Sequence, residues 1–362
     1  MHGLIKLFKK CILIFFGSFL LTACSTEKSD NSIASNQEFH LVQNALEERV
    51  KNKSFSGNMV VLHEGTPVYS FSGGLASREL NVDHNPDSVF LTGSISKYIT
   101  LVTTLKAVEH GVIDLNDKIT NVFSELNLKD AGDITIEHLL THYSGLPGMR
   151  SDAMELKSFE IYAGENFTKN NFIKYVFEQP REATPGERFT YGNLGYDVLQ
   201  LALEKKMNSS YADIIKKLVL DPLKMTESGI NNRPNIIPNR SAPYDLVDDQ
   251  FYNAKQSDGG SFYSTTQDLA KLASETFNNS FLNESQLKYV KDYGLYKHVI
   301  RVSEAKDLTI LWFNGIDMGY SAEFGYLLDT NHAYGIAANI SPAFYKDIRE
   351  KLAQTIGADR LQ

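Results

Sequence analysis

Ser94 and Lys97 stand three residues apart in the stretch Leu91-Thr-Gly-Ser-Ile-Ser-Lys-Tyr-Ile-Thr100, and Lys97 is the only charged residue between Asp87 and Lys106. On a helix beginning near Ser94 the two side chains share one face. Burial disfavours the charged form of an amine, so an interior lysine beside a hydroxyl can take the hydroxyl's proton and make it a nucleophile. A helix N-terminus favours the negative charge that develops there. The alternative is a lysine whose stem lies along apolar surface while its ammonium reaches water. Ser-x-x-Lys also occurs at Ser25/Lys28, Ser285/Lys288 and Ser303/Lys306, in polar or mixed surroundings; only Ser94 opens an apolar helix.

Tyr191-Gly192-Asn193 is a second cluster able to do chemistry, following the turn Pro185-Gly186 and preceding a helical stretch from Tyr196 to Lys206. A phenol and an amide so placed can enter the cleft that holds Ser94. Read as structure alone, they are a half-buried loop tyrosine and a capping asparagine. His138 and His142 lie four apart on an expected helix, Thr135 to Tyr143, with no third ligand nearby, so core or cap roles are expected. No metal and no other cofactor is expected, since Walker-type glycine loops and HExxH helices are absent.

The elements that must position these residues follow from periodicity. Phe39 to Lys51 carries a helical pattern; Asn58 to His63 and Pro67 to Phe71, separated by Glu64-Gly65-Thr66, read as a hairpin. Helical patterns dominate from Ile95 to about Ala273, including a nearly all-apolar helix from Ser94 to Gly111. Leu308 to Phe313, Phe324 to Leu328 and Ala333 to Asn339 read as strands, with a last helix over about 342–356. The pattern predicts an α/β (α+β) body whose antiparallel sheet joins N- and C-terminal segments, with a mainly helical middle subdomain at about 115–255. One domain is expected over 39–362.

The N-terminus has a different character. Lys6, Lys9 and Lys10 precede an uncharged run, Cys11 to Leu21, too short to span a bilayer. Residues 1–23 are expected to be a secretory signal, and Leu21-Thr-Ala-Cys24 resembles the lipobox of bacterial lipoproteins, which implies lipidation of Cys24. Residues 24–38 then form a polar tether. The chain has two cysteines and Cys11 leaves with the signal, so no disulfide is expected. The net charge of −8 becomes more negative when the signal's lysines depart. A nucleic-acid partner is not expected, and attachment to the membrane must come from lipid. The expected location is the cell envelope: the outer membrane in a host with two membranes, otherwise the outer face of the plasma membrane.

Taken together, these segments resemble the serine beta-lactamase and penicillin-binding protein superfamily, in its class C, esterase-like branch. Ser94-Ile-Ser-Lys97 resembles the first motif, Tyr191-Gly-Asn193 the second, Ile134 to Pro147 (ITIEHLLTHYSGLP) an intervening stretch, and Gly259 to Asp268 (GGSFYSTTQD) a later one. The resemblance covers nearly all of residues 39 to 340. It implies a beta-lactamase-like sandwich and a lipid-anchored serine hydrolase. Ser94 would form an acyl-enzyme, Lys97 would take its proton, Tyr191 would help to activate water, and Asn193 would position Lys97 and the acyl group. The substrate would be a small ester, amide or peptide, from the cell wall among other sources. It also implies an oxyanion site made by the amides of Ser94 and of a residue on the C-terminal edge strand.

That strand departs from the family pattern. Where the family carries Lys-Thr-Gly or His-x-Gly, the local match is Phe313-Asn314-Gly315, which makes Ile316 the second amide donor and removes the cation that meets a substrate carboxylate. Either Lys297 or Arg301 substitutes, or the substrate lacks a carboxylate. The departure motivates a second reading: a catalytically weak or inactive protein that binds cell-wall peptide or a protein partner.

Overall fold

The apolar run Gly57–His63 folds as a strand, β1, that divides the interior in two. Met59 and Val61 enter one core while Val60 and Leu62 enter another, as the two-residue period of a strand buried on both faces requires. The computed structural model describes residues 38–358 apart from 129–130, 149–167, 232–234, 249, 255–260, 279, 298–300 and 306–307. All of these fall in one unit spanning Ile33–Gln362. The expected signal, Cys24 and nearly all of the tether lie outside the described residues.

Glu64 and Gly65 both take positive φ, 49° and 79°, and return the chain into β2 (Thr66–Gly73) with His63 opposite Thr66. Two positive φ values mark the hairpin turn whose twist matches its strands. Short strands β3 (Leu75–Ser77), β4 (Val82–Asp83) and β5 (Phe90–Leu91) follow. Beyond the middle of the chain come β6 (Gly229–Ile230), β7 (Tyr244–Val247), β8 (Gln250–Asn253) and β9 (Phe262–Ser264). The main sheet is completed by β10 (Arg301–Ala305), β11 (Leu308–Asp317), β12 (Tyr320–Leu327) and β13 (His332–Ala338). Its order is β10-β11-β12-β13-β1-β2, every pairing is antiparallel, and Gly57 on β1 lies opposite Ala338 on β13. The expected union of the two chain ends in one antiparallel sheet is therefore present.

One face of the sheet is covered by α1 (His40–Lys51) and by a C-terminal helix that begins at Lys346, giving a core that includes Phe39, Leu46, Ile348 and Leu352. The other face carries α2 (Ile95–Glu109). The chain also forms α3 (Ile119–Val122), α4 (Ile136–Leu140), α5 (Lys169–Glu178), α6 (Leu194–Met207), α7 (Tyr211–Ile215), α8 (Thr266–Phe277) and α9 (Glu284–Lys297), of which α8 packs directly on this same face, against β1, β12 and β13. The C-terminal helix is α10 (Lys346–Ala358). Helix α2 is buried on nearly all sides. Its interior threonines keep their hydroxyls satisfied by donating one turn back, Thr103 to the Ile99 carbonyl at 2.7 Å and Thr104 to that of Thr100 at 2.8 Å.

Among the described residues the middle of the chain is mainly helical, as expected; it also holds β6 to β8, with β9 following, each of two to four residues, too short to impose a period on the sequence. One expectation is revised. Strand β12 begins at Tyr320 rather than Phe324, because Ser321 and Glu323 interrupt its apolar run yet are buried. Their partners are supplied from elsewhere. Ser321 Oγ donates to the Ile340 carbonyl at 3.0 Å. Glu323 accepts from Arg349 at 2.5 Å and from the Tyr334 hydroxyl at 2.7 Å, and the Arg349 guanidinium stacks on Trp312 at 3.7 Å.

Removing one member of a buried ion pair strands the other. Arg349→Met should therefore destabilise the protein by about 3 to 5 kcal/mol, read as a lower urea midpoint. A loss below about 1 kcal/mol would show that Glu323 is solvated or re-partnered in solution.

Candidate active site

Helix α2 starts where β11 crosses it, and glycine backbone makes that crossing possible. A Cβ placed on Gly315 would lie 2.0 Å from the Thr92 carbonyl oxygen and 2.6 Å from the Ser94 nitrogen. One placed on Gly93, at φ +53°, would lie 2.3 Å from the Ile316 carbonyl oxygen and 2.7 Å from the Ile316 nitrogen. No other residue type fits either position. The amides of Ser94 and Ile316 are thereby brought to one junction.

Strand β9 secures the helix start. The Thr92 N–H donates to the Phe262 carbonyl at 2.9 Å, and the Phe262 N–H donates to Ser96 Oγ at 3.0 Å. The run Gly259 to Asp268 thus includes the strand that braces the Ser94 turn; its residues 259–260 lie outside the described ones.

Ser94 is the residue before α2, and its side chain makes no capping hydrogen bond to the helix. Its Oγ instead accepts a hydrogen bond from the Tyr191 hydroxyl at 2.8 Å. Asn193 occupies the corresponding position before α6 and also makes no side-chain cap. Its Oδ1 accepts from Lys97 Nζ at 2.7 Å, which replaces the capping role with a bond across the cleft. Lys97 is 8 % exposed. Its ammonium lies 4.9 Å from the Tyr191 ring centroid and 5.9 Å from that of Tyr196, where the electron-rich ring faces attract a cation. Ser94, Lys97, Tyr191 and Asn193, four positions spread over two distant segments, are therefore one hydrogen-bonded and ring-packed group.

The other histidine and aromatic positions separate clearly. His138 closes a capping box with Thr135, each side chain bonding the other's backbone N–H. His142 is buried behind Tyr191, with ring centroids 4.6 Å apart. Burial pushes its imidazole down to about 3, and the Lys97 charge acts in the same direction. No group of three or more residues suited to hold a metal occurs among the described residues. Phe313 points into the core, 4 % exposed, with its ring 6.2 Å from Tyr98 and 6.3 Å from Phe324. The side chains of Lys297 and Arg301, expected as replacement cations, lie outside the described ones.

Two contributors escaped the sequence reading. Asp197, one turn into α6, has its carboxyl pushed up to about 6 by burial, while the Lys97 charge pulls the other way. Asp317, at the end of β11, accepts from Ser261 Oγ at 2.6 Å. Strand alternation sets Asp317 on the face shared by Phe313 and Gly315, a placement readable from sequence only once the strand's full length is known.

Comparison with known proteins identifies the family and the fold. The sequence model of the family described as Beta-lactamase matches residues 42–354. The chain belongs to the Beta-lactamase family. Among curated relatives of this beta-lactamase-family chain, Penicillin-binding protein 4* of Bacillus subtilis (strain 168) is 26% identical over 274 residues, covering 69% of this chain and 58% of that protein. The human Serine beta-lactamase-like protein LACTB, mitochondrial, is 25% identical over 304 residues, covering 65% and 53%. The chain thus spans about half the length of the curated relatives it matches. Among solved structures, D-amino acid amidase from Ochrobactrum anthropi SV3 superposes with a TM-score of 0.72 at 17% identity, covering 90% of this chain and 99% of the amidase. A class C beta lactamase from Rhodobacter sphaeroides gives 0.68 at 17%, covering 91% and 100%. These likenesses place the fold in the serine beta-lactamase and penicillin-binding protein superfamily.

The buried histidines make acid stability a test of the site. His84, hydrogen-bonded to Asn339 and stacked on Phe90, is pushed down to about 4 by burial. Both groups protonate first in the unfolded chain, near the ordinary value of 6.5. Their contribution to stability is whole above that pH and declines as the pH falls toward 4 and 3, by up to about 1.4 kcal/mol per pH unit for each. Urea midpoints at pH 7, 5.5 and 4.5 should fall steadily, and His142→Asn should show the shallower fall. Identical slopes would mean that His142 is not held neutral by burial.

Proposed function

We propose that this protein is a serine hydrolase that cleaves an ester or amide through an acyl-enzyme on Ser94. The observation that carries the reading is the 2.8 Å hydrogen bond between the Tyr191 hydroxyl and Ser94 Oγ, on a tyrosine whose ring packs against the buried Lys97. In the form of the site in which the Tyr191 and Lys97 pair has lost one proton, Ser94 Oγ bonds to the acyl carbon as its own proton passes to that pair. That pair returns a proton to the departing alkoxide or amine. Water, giving a proton to the same pair, then attacks the ester on Ser94, and the proton returns to Ser94 Oγ as the acid leaves. The amides of Ser94 and Ile316 receive the oxyanion in both steps, each such donor contributing roughly 2.7 to 4 kcal/mol to the barrier's lowering. Asn193 keeps Lys97 against the tyrosine.

The substrate is a neutral acyl compound. Where related motifs carry a cation, Phe313 is enclosed in the core, and the same face of β11 ends in the carboxylate of Asp317. A substrate carboxylate finds repulsion there in place of a charge-assisted contact, a difference of about tenfold to a hundredfold in rate or affinity. Exposed Ile316 and Met318 supply apolar surface at this end of the strand.

Wild-type protein should react with a fluorophosphonate probe and hydrolyse short p-nitrophenyl esters at least about tenfold better than any beta-lactam. Ser94→Ala should abolish both reactions, and Lys97→Ala should reduce them by orders of magnitude. Phe313→His is a poor test of charge, because it places an imidazole inside the aromatic core. Efficient beta-lactam turnover by the wild type would overturn the neutral-substrate assignment. Failure of the wild type to label would overturn the hydrolase reading and leave a binding protein in its place.

Attachment through Cys24 belongs to the same proposal, supported by the Leu21-Thr-Ala-Cys24 sequence and the charged, then apolar, residues before it. Cys24→Ser should move the protein from the detergent phase to the aqueous phase or block its processing. A normally processed Cys24→Ser protein that stays on membranes would rule the anchor out.

A further inference from the structure

Tyr191 must keep its hydroxyl within reach of Ser94, yet it lies in a segment without helix or strand ahead of α6. One residue holds that segment at three points. The His142 carbonyl accepts the Thr190 N–H at 2.8 Å, and its ring Nδ1 accepts the Gly192 N–H at 3.4 Å. The imidazole itself packs 4.6 Å from the tyrosine ring. The residue before the tyrosine, the residue after it and its own ring are all tied to His142. From this geometry we infer that His142 is the positioning residue that sets the Tyr191 hydroxyl on Ser94. The inference rests on the reading of Tyr191 as half of the proton-transferring pair.

The way His142 is built into the fold supports a dedicated role. Its φ is 61°, in the left-handed region that a bulky side chain seldom adopts. Its Nδ1 serves as an acceptor, so the ring's proton stands on Nε2, and Nε2 is buried without a hydrogen-bond partner among the described residues. Backbone strain and an orphaned N–H both cost stability, and they persist where the surroundings over-determine them, which is commonly at active sites. A leucine would fill a similar volume without an orphaned donor. It would offer nothing to the Gly192 N–H.

The backbone after His142 completes the cradle. A Cβ on Gly148 would lie 2.9 Å from the Tyr191 carbonyl oxygen, and one on Gly192 would lie 3.0 Å from that of Pro147. The run from His142 to Gly148 therefore lies along the tyrosine segment at contact distance. This gives the stretch ITIEHLLTHYSGLP a purpose: its helix α4 starts at the Thr135 cap, and its far end supports Tyr191.

Two variants separate support from mere structure. Asparagine tolerates positive φ and keeps an acceptor near the place of Nδ1, whereas alanine keeps neither the acceptor nor the ring. With p-nitrophenyl acetate, kcat should fall about tenfold in His142→Asn and about a hundredfold in His142→Ala, with KM changed by less than about threefold. In a Tyr191→Phe background His142→Ala should cost less than about a further twofold, because its effect passes through the missing hydroxyl. Circular dichroism establishes which variants fold, and if His142→Ala does not, His142→Asn alone decides. Full kcat in the folded His142 variants, with Tyr191→Phe inactive, would overturn this inference while leaving the Tyr191 reading intact. Additive losses in the double variant would overturn it as well. Full activity in Tyr191→Phe would remove the Tyr191 reading and the inference with it.

Discussion

The junction of β11 with the first residues of α2 is the constraint on which the rest of the structure depends. Backbone meets backbone there without intervening side chains, since a single methyl on Gly315 would fall 2.0 Å from the Thr92 carbonyl oxygen. Such contact is tolerable only if both partners are rigid. The strand is rigid because β10 and β12 flank it. The helix is rigid because Tyr98, Ile99 and Val102 are fully buried and because Phe262 and Ser96 tie its first turn to β9. The apolar wrapping of α2 thus serves two ends, stabilising the fold by burial and holding Ser94 against β11.

Long-range order was legible in the sequence to the extent that it rests on apolar periodicity. The hairpin of β1 and β2, the α2 helix and the C-terminal strands each bury a regular set of side chains and so leave a repeating signature. Strands β6 to β9 leave none, since two to four residues cannot display a period. Ser94, Lys97, Tyr191 and Asn193 could be picked out because each is chemically out of keeping with its surroundings or its neighbours. His142 could not, because a histidine four residues after another on an expected helix looks like many surface or core histidines. Its left-handed backbone and its contact with a tyrosine almost fifty positions away exist only in three dimensions. The same applies to Phe313, whose departure from the family pattern was visible while its enclosure by Tyr98 and Phe324 was not.

Polar groups are buried on both sides of the sheet, with contrasting solutions. On the far side Glu323 is matched by Arg349 and Tyr334, so its charge and its lone pairs are answered. On the near side Lys97 has a neutral amide and two ring faces, and His142 retains an N–H unanswered among the described residues. Full compensation suits a group that only has to be stable. Partial compensation leaves Lys97 and its neighbours electrostatically responsive to a charge that forms beside them.

The pairing of Gly57 with Ala338 bears on how the chain reaches this state. The hairpin of β1 and β2 is synthesised well before β13, the partner that completes β1. Until then β1 presents one edge of unpaired N–H and C=O groups and the apolar side chains Met59, Val60, Val61 and Leu62, a template for pairing with other chains. Closing so large a loop is entropically slow even though its added cost grows only with the logarithm of its length. The central sheet therefore cannot close before β13 is made, and the period between synthesis of β2 and of β13 is when the nascent chain most needs shielding from its neighbours.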